Sequence, residues 1–200
     1  MFPGMKNPFF SLLLACTLGA VALTPARAAD KEVAVLKTSQ GEMVVEFWPD
    51  VAPKTVANFV KLAKSGFYDG TAFHRIIKGF MIQGGDPLTK DPSMESRWGT
   101  GHADETIKAE FSDKHHELGV ISMARAASPD SASCQFFICL GPTPQLDGKY
   151  TVFGKLLKGE DVLRKLGETP VGPGPNGEPS RPTSRVALES VKIVPESSVK

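Results

Sequence analysis

The chain has 200 residues, 41% hydrophobic and 22% charged, with a formal net charge of +1. This is the length and balance of one globular domain with enough chain to bury a core. Lys and Arg are scattered rather than gathered into a stripe, which argues against a nucleic-acid partner.

Taken in chain order, the N-terminus reads as an export leader. Lys6 gives a short positive region, Pro8 to Leu23 is apolar, and Ala26-Arg27-Ala28 has the small-x-small form of a cleavage site. The expected division is a signal peptide over 1–28 and one domain over 29–200. The apolar run is short for a membrane span, and no stable anchor is expected. Leu13-Leu14-Ala15-Cys16 faintly resembles a lipoprotein box, a second reading that would cut the run in half.

Val33 to Thr38 and Glu42 to Phe47 alternate like strands across a Ser39-Gln40-Gly41 turn, which predicts a hairpin. Lys54 to Lys64 places Val56, Phe59, Val60 and Ala63 on one helical face, with Pro53 at its start and Gly66 after its end. Strands are predicted within Phe73 to Gln83, Lys114 to Met123, Gln135 to Leu140, Tyr150 to Leu156 and Arg185 to Val194. A second helix is predicted from Glu160 to Leu166. Asp86 to Trp98 reads as a surface loop, its Trp98 either flanking a groove or covering core. Gly172 to Gly177 reads as a plain loop. Many short strands with two helices suggest an antiparallel barrel, since closure removes exposed edges.

The segment Phe73-His74-Arg75-Ile76-Ile77-Lys78-Gly79-Phe80-Met81-Ile82-Gln83-Gly84-Gly85-Asp86 carries the chemistry. Arg75, Ile77, Met81 and Gln83 share one strand parity, provided Lys78-Gly79 is not a bulge. That face offers an apolar shelf, a positive fork and an amide, but no nucleophile. It suits electrostatic stabilisation rather than covalent attack. His102 and the His115-His116 pair have no ligand spacing with other metal-binding residues, so neither metal nor cofactor is expected. Cys134 and Cys139 fall on opposite parities and are expected as two free thiols.

This segment resembles the signature of the cyclophilin family of peptidyl-prolyl cis–trans isomerases. Two further blocks agree in order and spacing: Gly119 to Ala126 with Ser133 to Ile138, and Leu146 to Gly154. The resemblance runs from about Val33 to Val194. It implies a mainly β fold: a closed eight-stranded antiparallel barrel, capped by two α-helices, with a packed interior and a substrate groove on the outer wall. It also implies isomerisation of X-Pro bonds in unfolded or partly folded polypeptides. A monomer is expected.

The resemblance extends to single residues. Arg75 would stabilise the twisted amide. Phe80, Met81, Phe137 and Leu146 match the proline pocket, and Gln83 would bind a substrate carbonyl or hold Arg75. Gln135 matches a second groove amide. Ala124, Arg125 and Ala126 match an extended segment that pairs with bound peptide, while His74 would sit structurally or at the groove edge. Two positions depart from the better-known eukaryotic pattern: Gln145 stands where a tryptophan is often found, and Tyr150 where a histidine is common. With the leader, the reading is a bacterial periplasmic isomerase.

Overall fold

The computed structural model describes Met1, Gly4 and residues 30–199; the rest of the expected leader, including Cys16, lies outside the described residues. The hairpin comes first, β1 (Glu32–Thr38) against β2 (Gly41–Phe47). Helix α1 (Pro53–Lys64) follows, with proline in its first turn. It has no capping side chain of its own. Instead the Glu110 carboxylate accepts from the N–H groups of Lys54 and Thr55 and from the Thr55 hydroxyl, satisfying orphan donors and complementing the helix dipole. The buried face is Thr55, Val56, Phe59, Leu62 and Ala63. The Phe59 ring meets Phe47, Tyr68, Phe136 and Phe153 at centroid distances of 5.7, 4.9, 5.5 and 5.4 Å. Each such aromatic contributes about 2–3 kcal/mol through burial alone.

The remaining strands are β3 (Thr71–Ala72), β4 (Arg75–Ile77), β5 (Met81–Gly84), β6 (Val120–Met123), β7 (Phe136–Cys139), β8 (Val152–Lys158), β9 (Val171–Pro173), β10 (Pro179–Pro182) and β11 (Ala187–Pro195). Helix α2 (Glu160–Gly167) buries Leu163 and Leu166. Both helices lie where the sequence predicts them.

Among the described residues, nine strands form one sheet in the order β3-β11-β1-β2-β8-β6-β7-β5-β4. The closed eight-stranded barrel is therefore corrected to an open, strongly curled sheet. Its edge strands β3 and β4 are consecutive in the chain, with only Phe73 and His74 between them, yet they do not pair with each other: β3 pairs with β11 and β4 with β5. The N–H of Phe73 donates to the Val186 carbonyl and that of His74 to the Gln83 carbonyl. The chain thus passes from one edge of the sheet to the other.

Three further expectations change. Phe73 to Gln83 is a tight hairpin, turned at Lys78-Gly79, where Gly79 adopts φ +72° and the Phe80 N–H donates to the Ile77 carbonyl. Only Val120 to Met123 of the predicted 114–123 strand is extended. The His116 N–H goes to the Asp147 carboxylate rather than to a neighbouring strand. Of the loop expected at Gly172 to Gly177, Gly172 and Pro173 belong to β9 in a second, two-stranded sheet with β10, and 174–177 form the turn between them.

Candidate functional site

The β4–β5 hairpin sets Arg75 directly opposite Gln83 and Ile77 opposite Met81. Their side chains share one face while Ile76 and Ile82, fully buried, point to the core. On the next strand, β7 places Phe137 opposite Gln83 and Cys139 opposite Met81. Met81, Phe137 and Cys139 form an apolar cluster separate from the main core, flanked by Ile77, Phe80, Ala124, Leu146 and Tyr150. A depression of about 250 Å³ opens over it, lined by Arg75, Phe80, Met81, Gln83, Ala124, Arg125, Phe137, Leu146 and Tyr150. Nine of the twelve residues expected at the site therefore meet in one place.

Arg75 stands at the rim, its side chain 36% exposed. One terminal nitrogen lies 4.0 Å from the Met81 sulfur, and the other donates to Glu178 at 3.0 Å. Gln83 does not hold Arg75: its amide donates to Gln135 at 3.0 Å, and Gln135 donates to the carbonyls of Gly99 and Gly101 at 3.0 and 2.7 Å. The buried Asp86 carboxylate accepts from the N–H groups of Gly99 and Gly101, fixing that loop. Gln135 thus faces a neighbouring depression of about 440 Å³, which shares Gln83, Ala124 and Arg125 with the first.

The guanidinium of Arg125 lies 4.6 Å over the Tyr150 ring and donates to the carbonyls of Lys149, Ala126 and Ala127. Tyr150 meets Phe137 edge-on at 5.8 Å. Ala126 lies in the second depression, not the first. The Ala124 N–H donates to Gln135 and the Ala126 N–H to Ser131, so an added peptide strand cannot use those two donors.

His74 is not a groove residue. It is buried behind the hairpin, near Gly99, and neither ring nitrogen has a hydrogen-bond partner among the described residues. Burial, helped by the Arg75 charge, pushes its pKa down to about 4, against a smaller upward pull from Asp86. Trp98 also lies away from the groove. It borders a depression with Ala72, Phe73 and Val186, and its indole N–H points at the carbonyls of Leu88 and Asp91.

Beneath the floor lies an arrangement that the sequence does not suggest. Asp147 accepts from the His116 ring at 2.8 Å, and the other His116 nitrogen is 3.1 Å from the Ser122 hydroxyl. An aspartate–histidine–serine set can mark a nucleophile. Here Ser122 and His116 are buried, and the hydroxyl donates to the Thr151 carbonyl at 3.0 Å. No substrate carbonyl could reach it, so the set is structural. Both described cysteines are free and buried, their thiols pushed up to about 11 by burial, which removes them as nucleophiles.

An apolar hollow on the outer wall of a sheet, with a guanidinium at its rim and amides alongside, defines a peptide-binding groove without a covalent catalyst. Comparison with known proteins identifies which one. The family model of the cyclophilin-type peptidyl-prolyl cis–trans isomerases matches residues 33–193. A peptidyl-prolyl cis–trans isomerase-like 1 of Neurospora crassa is 42% identical over 175 residues, covering 84% of this chain and 97% of the relative. An isomerase-like 2 of Cryptococcus neoformans is 44% identical over 84% of this chain, which spans only 28% of that longer protein. A Cryptosporidium parvum cyclophilin-type isomerase, crystallised in the presence of the dipeptide Ala-Pro, superposes with a TM-score of 0.71 at 31% identity, covering 81% of this chain and 98% of that one. The chain belongs to the cyclophilin-type peptidyl-prolyl cis–trans isomerase family.

Proposed function

We propose that this chain isomerises X-Pro bonds of unfolded or partly folded polypeptides without covalent chemistry, with Arg75 as the catalytic residue. The observation that carries this reading is the placement of Arg75 beside the Met81–Phe137 floor. The uncatalysed barrier is about 20 kcal/mol. As the amide twists, the nitrogen lone pair, delocalised into the carbonyl in the planar ground state, becomes localised and able to accept a hydrogen bond. A pyrrolidine ring seated over Met81 and Phe137, walled by Phe80 and Leu146, would bring that nitrogen toward the guanidinium. A hydrogen bond made only in the twisted state lowers the barrier rather than merely tightening binding. Gln83 and Gln135 would receive the carbonyl and flanking backbone.

The groove sits in a chain that we further propose is exported and processed after Ala28, as in a bacterial periplasm. This rests on the leader pattern alone; the relatives named above are from fungi and Cryptosporidium. N-terminal sequencing of the mature protein tests it, with Ala29 as the expected first residue. Isomerisation of a short X-Pro peptide tests the activity. Acceleration that survives a chelator is expected, and binding without acceleration would make the groove a passive peptide holder.

A further inference from the structure

Glu178 lies in the turn of the β9–β10 hairpin, a segment that reads from sequence as a featureless Gly-Pro loop. The hairpin is anchored. The Thr183 N–H closes its base on the Pro170 carbonyl at 2.9 Å, and Arg181 reaches Glu95 at 3.5 Å. The Glu178 carbonyl is itself held by the Gly174 N–H at 2.7 Å and the Ser180 hydroxyl at 3.2 Å. β10 packs against β4, the strand that carries Arg75. The Glu178 carboxylate therefore has a fixed base from which to meet Arg75 at 3.0 Å.

The contact divides the guanidinium fork. One terminal nitrogen is tied outward to Glu178, and the other lies inward beside the Met81 sulfur, over the groove floor. Gln83, the amide across the strand, is turned to Gln135 and does not share the task. A long, half-exposed arginine side chain has several rotamers, and the one observed places a donor beside the Met81 sulfur. We infer that Glu178 is the positioning residue of Arg75, selecting the rotamer that presents its inner nitrogen to the substrate amide. Half-exposed ion pairs add little to stability. The contact acts on orientation instead, and a small misplacement of a reacting group is costly in rate. The inference rests on the isomerase reading given above.

Glu178→Ala and Glu178→Gln are compared with the wild type on an X-Pro peptide, with kcat and KM separated, together with thermal unfolding and the NMR signal of the Arg75 side-chain N–H. Glu178→Ala is expected to lower kcat about three- to tenfold with little change in KM or Tm, and to shift the Arg75 signal. Glu178→Gln keeps one acceptor oxygen and should restore part of the loss. A wild-type kcat in Glu178→Ala, or a raised one, overturns the inference while leaving the isomerase reading intact. An inactive wild type removes that reading, and this inference with it.

Discussion

The imidazole of His116 lies parallel to the Phe137 ring, with centroids 5.9 Å apart and planes 12° apart. Phe137 lines the groove, and the buried histidine packs against its ring as a support. Asp147 and Ser122 fix the imidazole edge to edge. His116→Ala would open a cavity and leave Asp147 short of a partner. A loss of about 2–4 kcal/mol in urea unfolding at neutral pH is expected. A loss under about 1 kcal/mol would show that the floor does not depend on this support.

Stability and rate should respond differently to pH. His74 is buried with no hydrogen-bond partner for its ring among the described residues, and its pKa falls from 6.5 to about 4 on folding, burial being the main cause. Between those values the unfolded chain binds a proton that the folded chain does not, so stability falls on acidification. Asp147 adds to the loss further down. Hydrogen bonds from His115, from the His116 N–H and from its ring hold the carboxylate well below its usual range. Its contribution is present above about pH 4 and fades below it. Isomerisation, by contrast, should be flat from about pH 6 to 8, since His74 stays neutral there and no group exchanges a proton with substrate. Urea midpoints and rates across this range check both. A sigmoidal rate loss in a folded protein would implicate His74 in the chemistry.

The sequence made the site legible where local pairing rules apply. Arg75, Ile77, Met81 and Gln83 share a face as parity along a single strand predicts, although by another route: residues 75 and 83, and 77 and 81, are cross-strand partners in the hairpin. The α1 face was legible in the spacing of Val56, Phe59 and Ala63. What escaped depends on contacts distant in sequence. His116 joins Asp147 across a separation of 31 residues, and Arg75 joins Glu178 across 103. Asn176-Gly177 was the available signal for the second, a hairpin dipeptide that reads as a loop when no strand is expected on either side. His74 takes the structural one of its two expected places: strand parity says that it points away from the groove face, but not that Gly99 lies against its ring.

Gln145 lies in the short 144–146 turn beside Leu146, at the edge of the groove. An indole there would add a planar apolar body and one donor. The resemblance implies that cyclosporin binds tightly where a tryptophan stands at this position, so weak inhibition is expected for the wild type with Gln145. Gln145→Trp should bind about ten- to a hundredfold more tightly, the equivalent of roughly 1–3 kcal/mol, with little change in peptide turnover. Titration of both proteins decides it. Equal dissociation constants would move attention to Tyr150 and Arg125, which form a stacked wall of the same groove.

Arg75→Ala is the most direct measurement, made on an X-Pro peptide alongside a circular-dichroism melt. Arg75 is half-exposed and its ion pair with Glu178 is superficial, so the melt should scarcely move. Catalytic efficiency should fall about 10²- to 10³-fold, the loss typical of removing one preorganised donor aimed at developing charge. A folded Arg75→Ala protein that isomerises the peptide at the wild-type rate would contradict the mechanism outright.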